Sequence, residues 1–452
     1  MLSHYLCEYA WLPEGIRSDV LIATEDGKIV RAEPTGWVED HVPKLSGLTL
    51  PGFANAHSHA FHRALRGRTH AGKGSFWTWR EQMYAVADRL DPDSYHRLAR
   101  AVYAEMALAG VTSVGEFHYL HHAPGGTRYA NPNAMGEALL AAAEDAGIRI
   151  TLLDTLYLQS TVDGKPLTGP QLRFGDGSLD EWSARFDSLS AGSSEERSEA
   201  PRSGQAGTAG RGSLIGAALH SVRAVPAAAM TEFAELTGGL PVHAHVAEQV
   251  DEVAACRAVH GCTPTELLDR HGLLDETFTS VHATHLTRGD IDLMADSYAC
   301  FCPTTERDLG DGIGPARALA DAGVRLTLGS DSHAVIDLLE EARAVELHER
   351  LSTQERGHFD QEELLAAATA AGHASLGWTS AGRLTVGSRA DLVTISLDTP
   401  RTAGIDPGGV LMAASAPDIT HVIVDGRVVV AEGRHVRIDV ARELKEAVCA
   451  LF

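Results

Sequence analysis

The strongest constraint on the fold is a regular alternation of short apolar runs with helix-like stretches through the middle of the chain. VTSVGEF at 111–117 is followed by NAMGEALLAAAEDAG at 133–147, and then by IRITLLDTLY at 148–157. Later apolar runs are LPVHAHVAE, FTSVHATHL, YACFCPT and VRLTLGSDSH. Strands that alternate with helices in this way predict an α/β fold of the (β/α)8 TIM-barrel type, with a doubly wound sheet as the alternative.

The two ends of the chain have a different pattern, in which short β-rich runs are separated by Gly and Asp. Examples are SDVLIATEDGKIVRAEP near the start and ITHVIVDGRVVVAEGRHV near the end. Neither end can bury enough apolar surface alone, so we expect 1–50 and 382–452 to pair into one small β-sandwich domain. Residues 51–381 then form the barrel domain. Its polar, Ser- and Gly-rich insertion at about 188–213 is predicted to be a flexible surface loop.

Charge and cysteine content exclude several classes of partner. The formal net charge of −23 argues against nucleic acid or an anionic membrane surface, and no apolar stretch is long enough to predict a membrane span. These exclusions leave a small molecule as the expected substrate. An anionic substrate would need Arg or His side chains around its binding site to overcome the negative charge of the protein. The six cysteines show no disulfide-type spacing, so we interpret Cys300 and Cys302 as buried thiols and expect a cytoplasmic location.

The segment PGFANAHSHAFHRAL carries the clearest signal for chemistry. His57 and His59 are two residues apart after an apolar run, and residues i and i+2 of a strand point to the same face. Two imidazoles at the carboxyl end of a barrel strand can therefore bind one metal ion. An isolated HxH pair would be weak, but its position about 50 residues into the chain, where the barrel is predicted to begin, favours metal binding.

The segment LPVHAHVAEQ offers a third imidazole. His243 and His245 share a face, so one of them can be a ligand while the other is a hydrogen-bonded interior histidine. Glu248 follows just past the expected strand end. A carboxyl group there can carry protons to and from the position that a catalytic zinc site keeps open.

Two later strand ends complete the set. In SVHATHL either His282 or His285 can reach a site above the barrel. In LTLGSDSHAV the carboxylate of Asp331 follows a strand and a glycine, where it can bind a metal and accept a proton from water. A helix N-cap is the alternative for an isolated Asp, but the three preceding histidine-bearing strand ends favour ligation.

The lysines indicate a single metal ion. A two-metal site of this type often needs a modified lysine that bridges the ions. Within the barrel segment only Lys73 and Lys165 are present, and both lie in polar, Gly-containing stretches. We therefore expect one metal ion, although a bridging carboxylate would also serve.

These motifs together resemble the amidohydrolase superfamily, in its branch of deaminases with one metal ion. FWTWREQMY, EFHYLHH, HSVRAV and CPTTERDLGDGIGPA are in addition similar to the N-formimidoyl-L-glutamate deiminase family of histidine degradation. The resemblance covers nearly the whole chain apart from the insertion. It implies hydrolysis of N-formimidoyl-L-glutamate to N-formyl-L-glutamate and ammonia, and a homodimer.

The resemblance also implies a role for individual residues, motif by motif. One zinc ion per subunit, or iron or another divalent metal in its place, has four ligands: His57, His59, His245 and Asp331. The reaction itself involves three residues: Glu248, His282 and Asp331. The two substrate carboxylates are held by four residues, with a fifth nearby: Arg80, Tyr119, His220 and Arg223, and then His62.

Two positions depart from the family pattern. His62 stands where Gln is more common, which puts the substrate contact there in doubt. Asp308 adds a carboxylate in TTERDLGDG, which would be unfavourable beside an anionic substrate, so we expect it to point away or to be paired.

Two other functions compete with this interpretation. A nucleobase deaminase, such as a guanine deaminase, would keep the metal ligands but would not need paired arginines. A non-catalytic protein that kept the barrel as a scaffold would lose metal ligands, and this sequence lacks none of them.

Overall fold

The computed structural model of the chain describes residues 2–36, 41–70, 76–192 and 212–452. The strands, in chain order, are β1 (Ser3–Leu12), β2 (Gly15–Glu25), β3 (Lys28–Pro34), β4 (Lys44–Pro51), β5 (Phe53–Ser58), β6 (Val111–His118), β7 (Arg149–Leu156), β8 (Ser213–Ser221), β9 (Val242–Val246), β10 (Phe278–His282), β11 (Tyr298–Phe301), β12 (Arg325–Leu328), β13 (Leu392–Ile395), β14 (Ile419–Val424), β15 (Arg427–Ala431) and β16 (Arg434–His435).

The helices pack around and between these strands. In chain order they are α1 (Phe76–Ala87), α2 (Pro92–Leu108), α3 (Ala134–Ala146), α4 (Leu179–Gly192), α5 (Ala227–Thr237), α6 (Val250–His260), α7 (Pro264–Arg270), α8 (Arg288–Leu293), α9 (Pro303–Leu309), α10 (Ala316–Asp321), α11 (Leu338–Thr353), α12 (Gln361–Ala366), α13 (Gly372–Ser375), α14 (Val410–Ala413) and α15 (Val440–Cys449). Several helices begin at a capping box, as α2 does at Asp91 with Ser94. Among the described residues, no helix is long and apolar enough to cross a bilayer.

The barrel consists of β5 to β12, which lie side by side in sequence order and pair in parallel. A parallel bridge between Ser58 and Asp331 joins the two ends of this sheet. Every residue of β6 and β7 is buried, as expected for parallel strands covered by helices on the outside. The predicted (β/α)8 barrel is confirmed, and all eight strands direct their carboxyl ends to one face.

Strands from both ends of the chain form a second, mixed sheet in the order β16-β15-β14-β13-β4-β1-β2-β3. The two ends meet where β4 pairs antiparallel with β13, with Pro51 opposite Leu392. One set of its residues, including Cys7 and Ile22, forms a separate small core, while Leu50 and Val393 pack into the core of the barrel. The predicted pairing of the two ends into one β-domain is confirmed, and the boundaries at 50 and 382 stay a prediction.

The predicted surface loop at 188–213 lies largely outside the described residues, which leave out 193–211. At its two described ends the prediction is wrong. Residues 188–192 continue α4, because Leu189 is buried in the barrel core, and Ser213 already belongs to β8. The prediction that Cys300 and Cys302 are buried thiols is confirmed. Both are free, and they pack with Ala56 and Val281 inside the barrel.

Candidate active site

The histidines and carboxylates selected from the sequence meet at the carboxyl face of the barrel. His57 lies in β5 and His59 directly follows it, His245 lies in β9, and His282 ends β10. Asp331 comes three residues after β12. All five side chains are buried, so the strand ends bring together residues that are up to 274 positions apart in the sequence.

The hydrogen bonds of two of these histidines determine which ring nitrogen faces the centre. The Nδ1–H of His59 donates to the carbonyl of Phe117 at 2.9 Å, and the Nδ1–H of His245 donates to the carbonyl of His220 at 2.9 Å. A neutral imidazole has one hydrogen, so both Nε2 atoms carry lone pairs. These two Nε2 atoms lie only 3.4 Å apart.

The carboxylate of Asp331 completes the cluster. Its Oδ1 lies 3.3 Å from Nε2 of His57 and 3.4 Å from Nε2 of His59. Although burial raises the pKa of Asp331, its interactions with His57, His282 and His59 lower the pKa below its ordinary range, so the group is ionised. Burial lowers the pKa of His57, His59 and His245, so the three imidazoles are neutral.

A metal ion fits this arrangement. Neither ring nitrogen of the buried His57 has a hydrogen-bond partner in the described part of the chain, and lone pairs of His59 and His245 face each other. A metal cation bound between these nitrogens would remove both energetic costs: the unpaired nitrogens of His57 and the repulsion between the lone pairs of His59 and His245. Ligand atoms about 2.1 Å from a tetrahedral zinc ion lie about 3.4 Å apart, which matches the spacings seen here.

His282 stands beside the cluster with a different charge. Its Nδ1 faces Oε1 of Glu306 at 3.4 Å, and its Nε2 lies 3.8 Å from Oδ2 of Asp331. Burial lowers the pKa of His282, but the hydrogen bond to Glu306 and the charges of Glu248 and Asp331 raise it well above its ordinary value. The neighbouring carboxylates therefore favour the protonated form of His282, which lies beside Asp331.

Backbone strain is concentrated at these strand ends. Asp331 has φ 39°, His282 has φ 68°, and Ala247, which precedes Glu248, has φ 52°. Residues other than glycine rarely adopt this left-handed region, and they often do so at functional sites. Gly329 contributes a close approach instead, because a Cβ there would lie 2.8 Å from Cβ of His57.

A pocket opens from the cluster toward solvent, with a volume of about 540 Å³ including its mouth. The predicted site residues in its wall are His59, His62, Arg80, Tyr119, His220, Arg223, His245, Glu248, His282 and Asp331. His57 lies behind this wall, within the same histidine–carboxylate cluster.

Two arginines also line the pocket. Arg80 lies near the ring of Tyr84, 5.5 Å from its centroid, and burial together with Tyr157 raises the pKa of Tyr84 to about 12. Burial lowers the pKa of Arg223, but nearby carboxylates and tyrosines, Glu252 foremost, raise it above its ordinary value. Among the described residues the Arg223 guanidinium forms no ion pair within 4.0 Å, so it can bind an anion.

His220 and His62 line the pocket beside aromatic side chains. The His220 ring lies 5.0 Å from that of His245 and 4.5 Å from that of Tyr157, measured between centroids. His62 Nε2 lies 2.9 Å from the hydroxyl of Tyr119, and burial lowers the pKa of His62 to about 3. The histidine that replaces the usual Gln is thus a neutral hydrogen-bonding group.

The remaining sequence positions lie away from the pocket. His243 faces the carbonyl of Ser375 at 3.2 Å, as expected for an interior histidine. His285 is not part of the pocket wall. Asp308 pairs with His70 at 2.7 Å, which confirms that its charge is directed elsewhere.

Sequence reasoning missed several residues around the site. Tyr84, Tyr157 and Phe174 line the pocket, and Glu306 contacts His282. Glu252 is buried with neither carboxylate oxygen hydrogen-bonded in the described part of the chain, and burial raises its pKa to about 7. Glu252 lies in the first turn of α6, four residues after Glu248, which precedes the helix.

A second histidine cluster is structural. His118 and His121 of the FHYLHH motif lie near Asp154, close enough for a shared metal ion. However, both oxygens of Asp154 accept from Arg185, at 2.7 and 2.8 Å, and one also accepts from Trp182. The guanidinium of Arg185 therefore occupies the position that a metal ion would need. We interpret the histidines of the FHYLHH motif as a structural part of the barrel wall that carries Tyr119.

Comparisons with known proteins show which family of proteins the chain resembles. A model of the amidohydrolase family matches residues 48–429. The chain is 37% identical to the formimidoylglutamate deiminase of Pseudomonas aeruginosa, with 96% of each chain covered. The solved structure of an amidohydrolase from Brucella melitensis is 31% identical, covers 99% of both chains and has a TM-score of 0.90.

A more distant structure shows the fold alone. The adenosine deaminase from Xanthomonas campestris, solved with bound zinc, is 23% identical and has a TM-score of 0.82. It covers 99% of this chain and 97% of that chain.

Proposed function

The chain belongs to the amidohydrolase family and is a hydrolase acting on C–N bonds, and we propose that it deiminates N-formimidoyl-L-glutamate to N-formyl-L-glutamate and ammonia. The observation that carries this proposal is that the wall of one pocket contains the histidine–carboxylate cluster together with two arginines, Arg80 and Arg223. A dicarboxylate with a basic formimidoyl group has the complementary distribution of charge.

We assign one zinc ion to His57, His59, His245 and Asp331, because three imidazole nitrogens and one carboxylate form a donor set that zinc prefers. When bound, the ion would supply Lewis acidity, which makes water a stronger acid and a better nucleophile. The described Lys165 lies in an exposed loop with Asp163, and Lys73 lies outside the described residues, so the assignment of a single ion stays a prediction.

Binding would orient the substrate along the pocket. The guanidinium groups of Arg80 and Arg223 each match a carboxylate in planar, bidentate geometry. Tyr119 and His220 contribute a hydroxyl and an imidazole to the wall of the pocket. The amidine is a strong base that enters as a cation near neutral pH, and it can give its extra proton to the carboxylate of Glu248, whose pKa burial raises.

Proton transfers follow from the charge of each residue. The ionised Asp331 accepts a proton from the attacking water, and His282, a cation 3.8 Å from Asp331 Oδ2, stabilises the negative charge that develops. Burial raises the pKa of Glu248, with a further contribution from Asp331, so Glu248 can hold a proton. It donates this proton to the terminal nitrogen as water adds. When the C–N bond breaks, Asp331 gives its proton to the departing nitrogen and the hydroxyl proton passes to Glu248. Ammonia then leaves, the carbon keeps the oxygen as a formyl group, and both carboxyl groups return to the states they had before water added.

The proposal places the enzyme in histidine degradation, in the cytoplasm and as a homodimer. All six cysteines are unpaired, which is compatible with a reducing compartment. The metal-ion dependence, the substrate and the assembly can each be measured separately.

The deciding experiment is an ammonia-release assay with N-formimidoyl-L-glutamate, N-formimidoyl-L-aspartate and guanine. We expect turnover of the glutamate derivative, and a KM that rises about 10- to 100-fold in Arg223→Met because a charged hydrogen bond is lost. Arg288→Met is the control, since Arg288 is an exposed residue paired with Asp292. Turnover of guanine with Arg223→Met as active as wild type would identify a nucleobase deaminase instead.

A further inference from the structure

The seam between β5 and β12 carries most of the metal ligands. His57 and His59 lie on one side of it, and Asp331 lies on the other. The two strands share only a bridge, in which Asp331 N–H donates to the carbonyl of His57 at 3.0 Å and His59 N–H donates to that of Asp331 at 3.2 Å. So short a ladder leaves the distance between the ligands dependent on other contacts.

Five buried polar side chains form a continuous hydrogen-bonded chain across this seam. Their contacts are Asn55 Nδ2 to Ser330 Oγ at 2.7 Å, Ser330 Oγ to His333 Nδ1 at 2.9 Å, His333 Nε2 to Ser58 Oγ at 3.2 Å, and Ser58 Oγ to Glu116 Oε2 at 2.7 Å. Each of the five residues is completely buried, so water does not compete for these bonds.

Backbone groups determine the direction of the chain at both ends. Ser330 N–H donates to Asn55 Oδ1 at 2.9 Å, so the amide of Asn55 must present its NH2 group to Ser330 Oγ. At the other end Ala60 N–H donates to Glu116 Oε1 at 2.7 Å, which leaves Oε2 as the acceptor for Ser58.

Only one arrangement then gives every hydrogen an acceptor. The hydroxyl of Ser330 accepts from Asn55 and donates to Nδ1 of His333. His333 carries its hydrogen on Nε2 and donates to Ser58, whose hydroxyl donates to Glu116. The chain therefore runs in one direction and ends on the carboxyl group of Glu116, whose two oxygens accept from Ser58 and Ala60. Burial raises the pKa of this group to about 8, against these two hydrogen bonds, which lower it.

The chain holds residues that are adjacent to the ligands. Ser58 lies between His57 and His59, and Ala60 follows them, so Glu116 holds both sides of His59. Ser330 precedes Asp331 and His333 follows it by two, so both flanks of Asp331 are held as well. A shift of any member moves the ligand beside it.

We propose that Asn55, Ser330, His333, Ser58 and Glu116 are positioning residues, whose hydrogen-bond chain sets the spacing of Asp331 from His57 and His59 and thereby the affinity for the metal ion. The inference rests on the metal site of the proposed function and does not depend on the substrate. Groups that orient ligands from behind in this way typically contribute 10- to 100-fold to metal affinity, or about that much to activity.

Glu116→Gln tests the direction of the chain with almost no change in shape. Its amide can accept from Ala60 N–H but then presents an NH2 group to Ser58, where the wild type has an acceptor. Ser58 must turn its hydroxyl toward His333, His333 must move its hydrogen to Nδ1, and the hydroxyl hydrogen of Ser330 is left without an acceptor. A single isosteric substitution thus disturbs the contacts on both sides of the seam.

The experiment measures the Zn²⁺ affinity of metal-free protein by titration against a competing chelator, for Glu116→Gln, His333→Asn and Ser58→Ala. We expect Zn²⁺ affinity about 10- to 100-fold lower than in the wild type for the first two variants, while the melting temperature of the metal-free form falls no more than in the buried control described below. The absorption spectrum of the Co²⁺-loaded variants should also shift, because it reports the geometry of the ligands. Ser58→Ala removes a single hydroxyl and serves if a larger change impairs folding.

The matched control is His373→Asn. His373 is equally buried and doubly hydrogen-bonded, to Thr369 and Thr112, near the amino end of β6 and away from the metal cluster. Zn²⁺ affinity within about twofold of wild type in Glu116→Gln and His333→Asn would overturn the proposal, and so would an equal loss in His373→Asn. Because the titration needs no substrate, it is independent of the ammonia-release assay.

Discussion

The Nε2 atoms of His59 and His245 face each other at 3.4 Å, and backbone carbonyls hold the hydrogen of each ring on the opposite nitrogen. Without a cation, two lone pairs would be buried at this distance. The barrel thus keeps an electrostatic cost that a metal ion relieves, which links the metal to the stability of the fold.

Removal of the metal is therefore expected to destabilise the protein. Free zinc at about 1,000 times its dissociation constant would add about 4 kcal/mol to the stability of the folded state. Calorimetry before and after chelation should show a lower melting temperature that added Zn²⁺ restores. The control is His245→Gln, which lacks one ligand and should respond much less. A wild-type melting temperature that is independent of zinc would contradict the assignment.

The contact between His62 and Tyr119 predicts that His62→Gln keeps activity. Burial holds the pKa of His62 at about 3, so this residue stays neutral at working pH and its Nε2 contact with the Tyr119 hydroxyl is one that a Gln amide can replace. We expect kcat/KM within about threefold of wild type, with an unchanged pH profile from 5 to 8. His62→Leu leaves Tyr119 without that partner and should lower kcat/KM about 10- to 100-fold. A large loss in the Gln variant would show that the imidazole itself is required.

The buried pair of Arg149 and Asp391 connects the barrel to the terminal sheet, and its loss should destabilise the protein. Arg149 begins β7, and its guanidinium donates to both oxygens of Asp391, once at 2.9 Å, and to Asp425 at 3.1 Å. In Arg149→Met the Asp391 carboxylate stays buried without its partner, at a cost of about 3–5 kcal/mol. Thermal melts should show a clear decrease for this variant and almost none for Arg288→Met, whose ion pair is exposed.

The sequence was sufficient for the parts of the fold and site that depend on local periodicity. His57 and His59 are two residues apart on β5, so their common face follows from strand geometry alone. Alternation of strands and helices likewise predicts the barrel, and each proposed metal ligand stands near the end of an apolar run. The sequence does not indicate β8 clearly, because the polar insertion precedes it and only the HSVR motif at its end is distinctive.

Features that depend on tertiary contacts could not be predicted in this way. Asn55 and Ser330 are 275 positions apart, and nothing near either residue in the sequence indicates their hydrogen bonds. Glu252 lies in the first turn of α6, where acidic residues are common and usually exposed. Its burial results from how α6 packs against the wall that carries Arg223, which only the assembled barrel determines.

Glu252 leads to a pH-dependent prediction. Burial raises its pKa to about 7, against the charge of Arg223, which lowers it. Below about pH 4.5 Glu252 is protonated in both the folded and the unfolded state, so its ionisation does not affect stability. As pH rises from about 4.5 through 7, the unfolded state loses this proton more readily than the folded state. The free energy of unfolding therefore falls by about 3 kcal/mol in total for a shift of this size.

Glu252→Gln removes this ionisation, so its melting temperature should exceed that of the wild type at pH 8 and approach it at pH 4.5. Thermal melts across this range give the difference directly, and contributions from other buried carboxyls, such as Glu116, cancel between the two proteins. Glu235→Gln on the exposed face of α5 should show no such trend. If Glu252→Gln were instead less stable than the wild type at pH 8, the prediction would be wrong. The ionised Glu252 would then stabilise the folded state as the partner of Arg223.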